Sequence, residues 1–230
     1  MFDGPGASSP GSGGRAIAIG LFRLALAITC IVALIGRYLW GLQSATFDST
    51  NFFAYLTMQS NFAFVFITTY TAISGMRGRT ESGWLASARA GVLGCTVTAG
   101  IVFALLVQQA SKFSLRIDLP WSDQVLHFFL PALALVDWFF LPRGGKPRWR
   151  AIVFVLGYAL TWGGITMLRG SIVGWYPYFF LDPGQVDGPG EFLLFSGLSL
   201  ALFAGVTAGV VLASRVRIRR KARDSSAPAR

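Results

Sequence analysis

Apolar residues along this chain gather into long runs instead of short amphipathic stretches. Six blocks of roughly 18–22 residues stand out, each enough to cross about 30 Å of hydrocarbon as a helix. They run from about Ala16 to Ile35, Phe52 to Ile73, Ala88 to Val107, Val125 to Leu141, Ala151 to Leu168 and Phe192 to Ala213. The pattern predicts an all-α membrane bundle of six transmembrane helices. Before it, residues 1–14 are rich in Gly, Ser and Pro and cannot bury enough surface to offset their ordering, so they read as a disordered tail. The first block is too long and too weakly flanked by basic charge for a signal peptide, and it carries Arg23 in its middle. It reads as a retained span. No internal repeat is visible, so nothing points to an inverted-repeat transporter.

Composition sharpens this picture. The chain is 53% hydrophobic and only 13% charged, against about a quarter charged in soluble domains. That excludes a cytosolic enzyme, a disordered chain and a disulfide-stapled secreted module. The net charge of +10 does not point to nucleic acid, because the basic residues sit at block ends and in the tail. There they act as topology signals and contacts for anionic lipid.

One side of the membrane collects Arg77, Arg79, Arg89, Arg143, Lys146, Arg148 and Arg150, with Arg215, Arg217, Arg219, Arg220, Lys221, Arg223 and Arg230 in the tail. The other side holds Arg37, Lys112, Arg116 and Arg169 beside Asp48, Asp118, Asp123, Asp182, Asp187 and Glu191. Both termini are therefore expected in the cytoplasm, a parity that agrees with six spans. The expected organisation is a tail over 1–14, a membrane domain over 15–214 and a basic cytoplasmic tail over 215–230. Cys30 and Cys95 fall inside apolar blocks and read as buried thiols. Trp40, Trp84, Trp121, Trp138, Trp149 and Trp175 lie near block ends, as an interfacial aromatic belt would.

Ionisable residues inside spans cost a few kcal/mol each and call for a reason. Arg23 and Asp137 lie at similar depths and are expected to pair or share a polar network, unless Arg23 snorkels and Asp137 bonds locally. In the second block Thr57, Ser60, Asn61, Phe64, Thr68 and Thr71 fall on one helical face. That stripe should meet other helices, where Ser, Thr and Asn bond across them. His127 is the single histidine. At 1.5 Å per residue, Thr57 and His127 lie roughly 8 and 6 Å below the outer ends of their spans. A hydroxyl and an imidazole in one layer suit a threonine nucleophile with a histidine base. Asp123 either orients the ring or caps the helix. Ser60 and Asn61 are candidate oxyanion donors. The segment from Trp175 to Pro183 reads as a re-entrant loop, a lid over the outer pocket bringing Tyr176 to a substrate, or an interfacial anchor. Gly205 and Gly209 form a small-xxx-small pair suited to helix packing.

Three segments carry a resemblance: Leu56-Thr57-Met58-Gln59-Ser60-Asn61; Leu126-His127 with Pro131 and Asp137-Trp138; and Tyr176-Pro177 through Asp182-Pro183. Together they resemble a set of bacterial six-span membrane proteins of unassigned function. More distantly the chain resembles the androgen-induced and androgen-dependent membrane proteins of animals, threonine-dependent hydrolases of fatty acid esters of hydroxy fatty acids. The resemblance implies Thr57 as nucleophile and His127 as its base. The Gln59-Ser60-Asn61 cluster belongs to the bacterial set, and the animal spacing from His to Pro is one residue longer.

The leading expectation is an intramembrane lipid-ester hydrolase of the multi-pass cell membrane, with Thr57 and His127 catalytic and Ser60, Asn61 and Tyr176 contacting substrate. Its partners would be membrane lipid and a lipid-ester substrate. The alternatives are a non-catalytic membrane scaffold or regulator using the basic tail, and a small-molecule transporter using the polar stripe. No cofactor motif is present: there is no Gly-rich phosphate loop after a strand and no metal-ligand cluster around the histidine.

Overall fold

The computed structural model describes residues 10–112, 119–141 and 144–226, and every regular element among them is helical. In chain order these are α1 (Pro10–Gly41), α2 (Ser49–Ala54), α3 (Leu56–Met76), α4 (Gly83–Lys112), α5 (Trp121–Gln124), a π-turn (Val125–Phe129), α6 (Leu130–Phe140), α7 (Arg150–Val173), a 3₁₀ turn (Phe179–Leu181) and α8 (Pro189–Ser226). The stretch from α5 through α6 runs as one continuous helix from Trp121 to Phe140.

Five helices are long and apolar enough to cross a membrane: Gly13–Gly41, Gly83–Gln108, Trp121–Phe140, Arg150–Val173 and Pro189–Arg215. The sixth expected span corresponds to α3, which has the length at 21 residues. Its polar residues, Thr57, Gln59, Ser60, Asn61, Thr68, Thr69 and Thr71, keep it out of that apolar group. Large apolar side chains are exposed along α1 (Leu21, Ile28, Val32, Ile35) and α7 (Leu160, Ile165, Leu168, Ile172). Surfaces of this kind are at home in lipid, not water, and the chain is a multi-pass integral membrane protein.

The element boundaries depart from expectation in ways that local chemistry explains. The first helix starts at Pro10 inside the stretch expected to be disordered, since proline is tolerated in a first turn, where its missing N–H costs nothing. The second span is broken at Tyr55, whose backbone is extended (φ −65°, ψ 129°). Asp48 caps α2 by accepting from the Thr50 N–H at 2.7 Å, and the Trp162 indole donates to the Ala54 carbonyl at 2.9 Å. The short helix α2 is thereby bonded at both of its own ends. Gly174, at φ 69°, ends α7 in the left-handed conformation that glycine permits. The last helix does not stop at residue 213 but runs to Ser226.

A buried cluster joins α1, α3, α4 and α6, including Leu26, Cys30, Phe64, Leu93, Leu130 and Trp138. Cys30 and Cys95 are buried free thiols, as expected. The polar stripe of α3 is also buried at Ser60, Asn61, Phe64, Thr68 and Thr71. Its hydroxyls, however, bond back along their own helix: Ser60 to the Thr57 carbonyl and Thr71 to the Thr68 carbonyl, both at 2.9 Å. Local back-bonding satisfies a hydroxyl without a partner helix, whereas Asn61 bonds across helices as expected, its Oδ1 accepting from the Cys30 thiol of α1 at 3.6 Å. Gly205 and Gly209 have nothing near a built Cβ, and close approach occurs instead where Gly94 meets Thr207. Trp138 is not interfacial either. It is 1% exposed and its indole donates to the Val210 carbonyl.

Arg23 and Asp137 do pair, Nε to Oδ1 at 2.9 Å, as one link in a longer buried chain. The other Asp137 oxygen accepts from Arg89, and Arg89 reaches both Glu81 oxygens at 3.0 Å. Arg89, read from sequence as a topology charge, is thus an interior residue (7% exposed). Two carboxylates offset two guanidiniums here, which is how buried charge becomes tolerable.

Candidate active site

Opposite this ion-pair chain, near the end where α3 begins and α7 finishes, a cavity of about 530 Å³ opens among α3, α4, α5, α7, α8 and the segment before α8. That volume lies in the range of small-molecule sites. Most of the lining is aliphatic or aromatic, and polar groups enter from Arg37, Thr57, Ser60, Thr98, Asp123, His127, Tyr178 and Ser196.

His127 owes its position to an irregular turn. Pro131 follows four residues later and has no N–H to return to the His127 carbonyl, and its ring crowds that position. The helix widens here, so the Leu130 N–H bonds to Val125, five residues back. Such π-turns often mark functional positions. The His127 carbonyl is left facing α4, where Gly100 makes room: a Cβ there would stand 2.3 Å from the carbonyl oxygen. The ring stacks on Phe103 with centroids 3.9 Å apart and an interplanar angle of 12°.

Nδ1 of His127 lies 2.9 Å from the Asp123 carbonyl. A carbonyl only accepts, so Nδ1 carries the proton, and in a neutral ring Nε2 is then the acceptor. Asp123 therefore orients the ring through its backbone. Its side chain does not cap the helix: the N-cap is Pro120, and the Asp123 carboxylate pairs with Arg37, Nε to Oδ1 at 2.9 Å.

Thr57 stands in the first turn of α3, beside Leu56 and Met58, and lines the same cavity. First-turn N–H groups have no acceptor within their own helix. The Tyr178 phenol approaches this end. Burial pushes its pKa up, against the pull of hydrogen bonding to the Thr57 side chain and to the Thr57 and Leu56 backbone. Tyr178 also packs edge-on against Tyr55 and Trp162, at 6.0 and 5.8 Å.

The expected substrate contacts separate. Ser60 lines the cavity, but its hydroxyl is donated to the Thr57 carbonyl. Asn61 is fully buried and lies outside the lining. Its amide donates to that same carbonyl at 2.9 Å, and its Oδ1 meets the Cys30 thiol at 3.6 Å. Tyr176 is not a lining residue; its ring lies over Gly170 of α7, where any Cβ would collide with it. Its neighbours Pro177, Tyr178, Phe180 and Leu181 take the cavity side, so the segment closes one end of the space. Arg37, Phe103, Trp162 and Tyr178 were not legible as site residues. Arg37 reads from sequence as a topology charge, and nothing in the aromatic run from Trp175 singles out Tyr178.

Among the described residues, no group of three or more His, Cys, Asp or Glu side chains is arranged to hold a metal ion. Two hydroxyls that border the cavity, Thr98 (1% exposed) and Ser196, have no hydrogen-bond partner among the described residues. Comparison with protein-family models, curated proteins and solved structures finds no match to this chain.

Proposed function

We propose that this protein is a six-span hydrolase of the cell membrane, both termini cytoplasmic, that cleaves long-chain lipid esters with Thr57 as nucleophile and His127 as base. One observation carries the reading. Thr57 and His127 come from segments 70 positions apart in the chain, yet line one largely apolar cavity. The Asp123 carbonyl engages Nδ1 of His127, which leaves Nε2 of a neutral ring as the acceptor. The motif resemblance to the animal threonine hydrolases assigns these two residues the same roles.

In the step envisaged, the Thr57 oxygen attacks the ester carbonyl carbon while its proton passes to His127 Nε2. Ser60 and Asn61 already donate to the Thr57 carbonyl, so neither is the donor that meets the negative charge on the carbonyl oxygen. The C–O bond breaks, and the alcohol leaves with the proton held by His127. Water then hydrolyses the acyl-threonine, His127 again serving as base, and the free acid departs. Surrounding aliphatic side chains suit an acyl tail, and the unpartnered Thr98 and Ser196 hydroxyls suit polar atoms of a ligand.

The test is release of free acid from long-chain secondary esters by purified protein in nanodiscs. Thr57→Ala and His127→Ala are each expected to lose at least about 100-fold of turnover with unchanged thermal melts. Turnover equal to wild type in both variants would return the two residues to packing roles. A wild type inert across chain lengths would remove the hydrolase reading.

A further inference from the structure

Of the side chains lining the outer cavity, Arg37 and Asp123 are the charged ones, and they hold each other at 2.9 Å. Asp123 sits four residues before His127, a spacing that puts two side chains at neighbouring positions of a helix. Its two kinds of acceptor are divided. The carboxylate goes to Arg37, which reaches it from α1, and the uncharged backbone carbonyl takes the His127 Nδ1–H.

That division decides which form of the ring is favoured. A carboxylate against an imidazole stabilises the doubly protonated cation, whereas a carbonyl supports a neutral ring with a fixed tautomer. Among the described residues lining the cavity no other side chain carries a charge: α4 contributes Phe103 against the ring with Cys95 and Thr98, and Tyr55, Thr57, Ser60, Trp162, Tyr178 and Ser196 are among the other polar and aromatic groups. Arg37 also rests on the Trp40 ring, its guanidinium carbon 4.6 Å from the centroid. Its neighbour Gly36 lies under Trp121 at the start of α5. The α1 end is thereby anchored beside the helix that carries Asp123.

We propose that Arg37 is a positioning residue for His127: by occupying the Asp123 carboxylate it keeps the ring neutral, Nδ1 protonated and Nε2 open to accept a proton. The proposal rests on the reading of His127 as a base, but its readout needs no turnover. With one histidine in the chain, nitrogen NMR of the histidine-labelled full-length protein in nanodiscs reports this ring alone.

At neutral pH the wild type is expected to show one protonated and one unprotonated ring nitrogen. Arg37→Gln leaves the Asp123 carboxylate uncompensated, and both ring nitrogens become protonated in most molecules. Arg37→Lys restores the wild-type pattern. The double variant Arg37→Gln with Asp123→Asn removes both charges and returns the ring to the neutral form. An Arg37→Gln spectrum identical to wild type overturns the proposal. So does a double variant that stays doubly protonated, or a wild type already cationic. In parallel, ester turnover by Arg37→Gln falls at least about tenfold in kcat, and the double variant recovers it. If the spectra behave as stated while the wild type turns over no ester, the hydrolase reading fails and the role of Arg37 stands.

Discussion

At the scale of single residues, the site depends on small departures from regular geometry. Pro131 removes one N–H, the helix widens by one residue per turn, and the His127 carbonyl leans toward Gly100. Gly100→Ala would put a methyl group 2.3 Å from that oxygen. The cost expected for such overpacking is about 1–3 kcal/mol, seen as a lowered thermal melt, with ester turnover reduced because the carbonyl belongs to the proposed base. Gly205→Ala is the matched control. Nothing lies near its Cβ, so gaining a better helix former should leave the melt unchanged or raise stability by up to about 1 kcal/mol. His127 and Thr57 were legible as lone chemical groups on apolar helices. The Asp123 carbonyl that fixes the imidazole was not, because a backbone atom leaves no mark in the residue alphabet.

At the scale of elements, the ion-pair chain ties three helices together. Arg23 comes from α1, Arg89 from α4 and Asp137 from α6, and Glu81 closes it from the connection before α4. Asp137→Asn leaves Arg23 without its counter-ion, and removing one member of such a buried set is expected to cost about 3–5 kcal/mol. Glu81→Gln should cost less, because Arg89 keeps Asp137. Melts of the two variants side by side give this ordering, and equal losses would contradict it. Exchanging the charges of Arg23 and Asp137 should not restore stability, since the new guanidinium would face Arg89. The Arg23–Asp137 partnership was legible from matching depth. Arg89 was not, because an arginine at the start of a span reads equally as a topology signal.

At the scale of the whole molecule, the two ends differ in charge. Arg15, Arg77, Arg79, Lys146, Arg148 and Arg215 are exposed at one end. At the opposite end Asp48, Asp182, Asp187 and Glu191 accompany Arg169, which is tied to Thr50 and Asn51. In the proposed orientation the first end faces the cytoplasm. In intact cells a membrane-impermeant thiol reagent should label Gln185→Cys, and should label Arg79→Cys only after permeabilisation. The reverse pattern would invert the orientation. Background is low because Cys30 and Cys95 are buried at 0% and 6% exposure.

What the sequence determined alone is the solvent and the class of fold. Long apolar runs have one stable form in hydrocarbon, a helix that satisfies its own backbone, so the helical class and the approximate positions of the long helices follow from composition and length. Helix ends do not, since Pro10 and the charged residues after Ala213 continue helices that hydropathy alone would stop. The tertiary structure decided which side chains meet. Ser60 and Asn61 share a helical face with Thr57 but spend their donors on its carbonyl, and Tyr176 yields the cavity side to Tyr178 two residues later. Arg37 reaches Asp123 across 86 positions of chain. Periodicity fixes the direction of a side chain within its own helix, whereas its partner depends on how neighbouring helices rotate and approach, and that is set by packing.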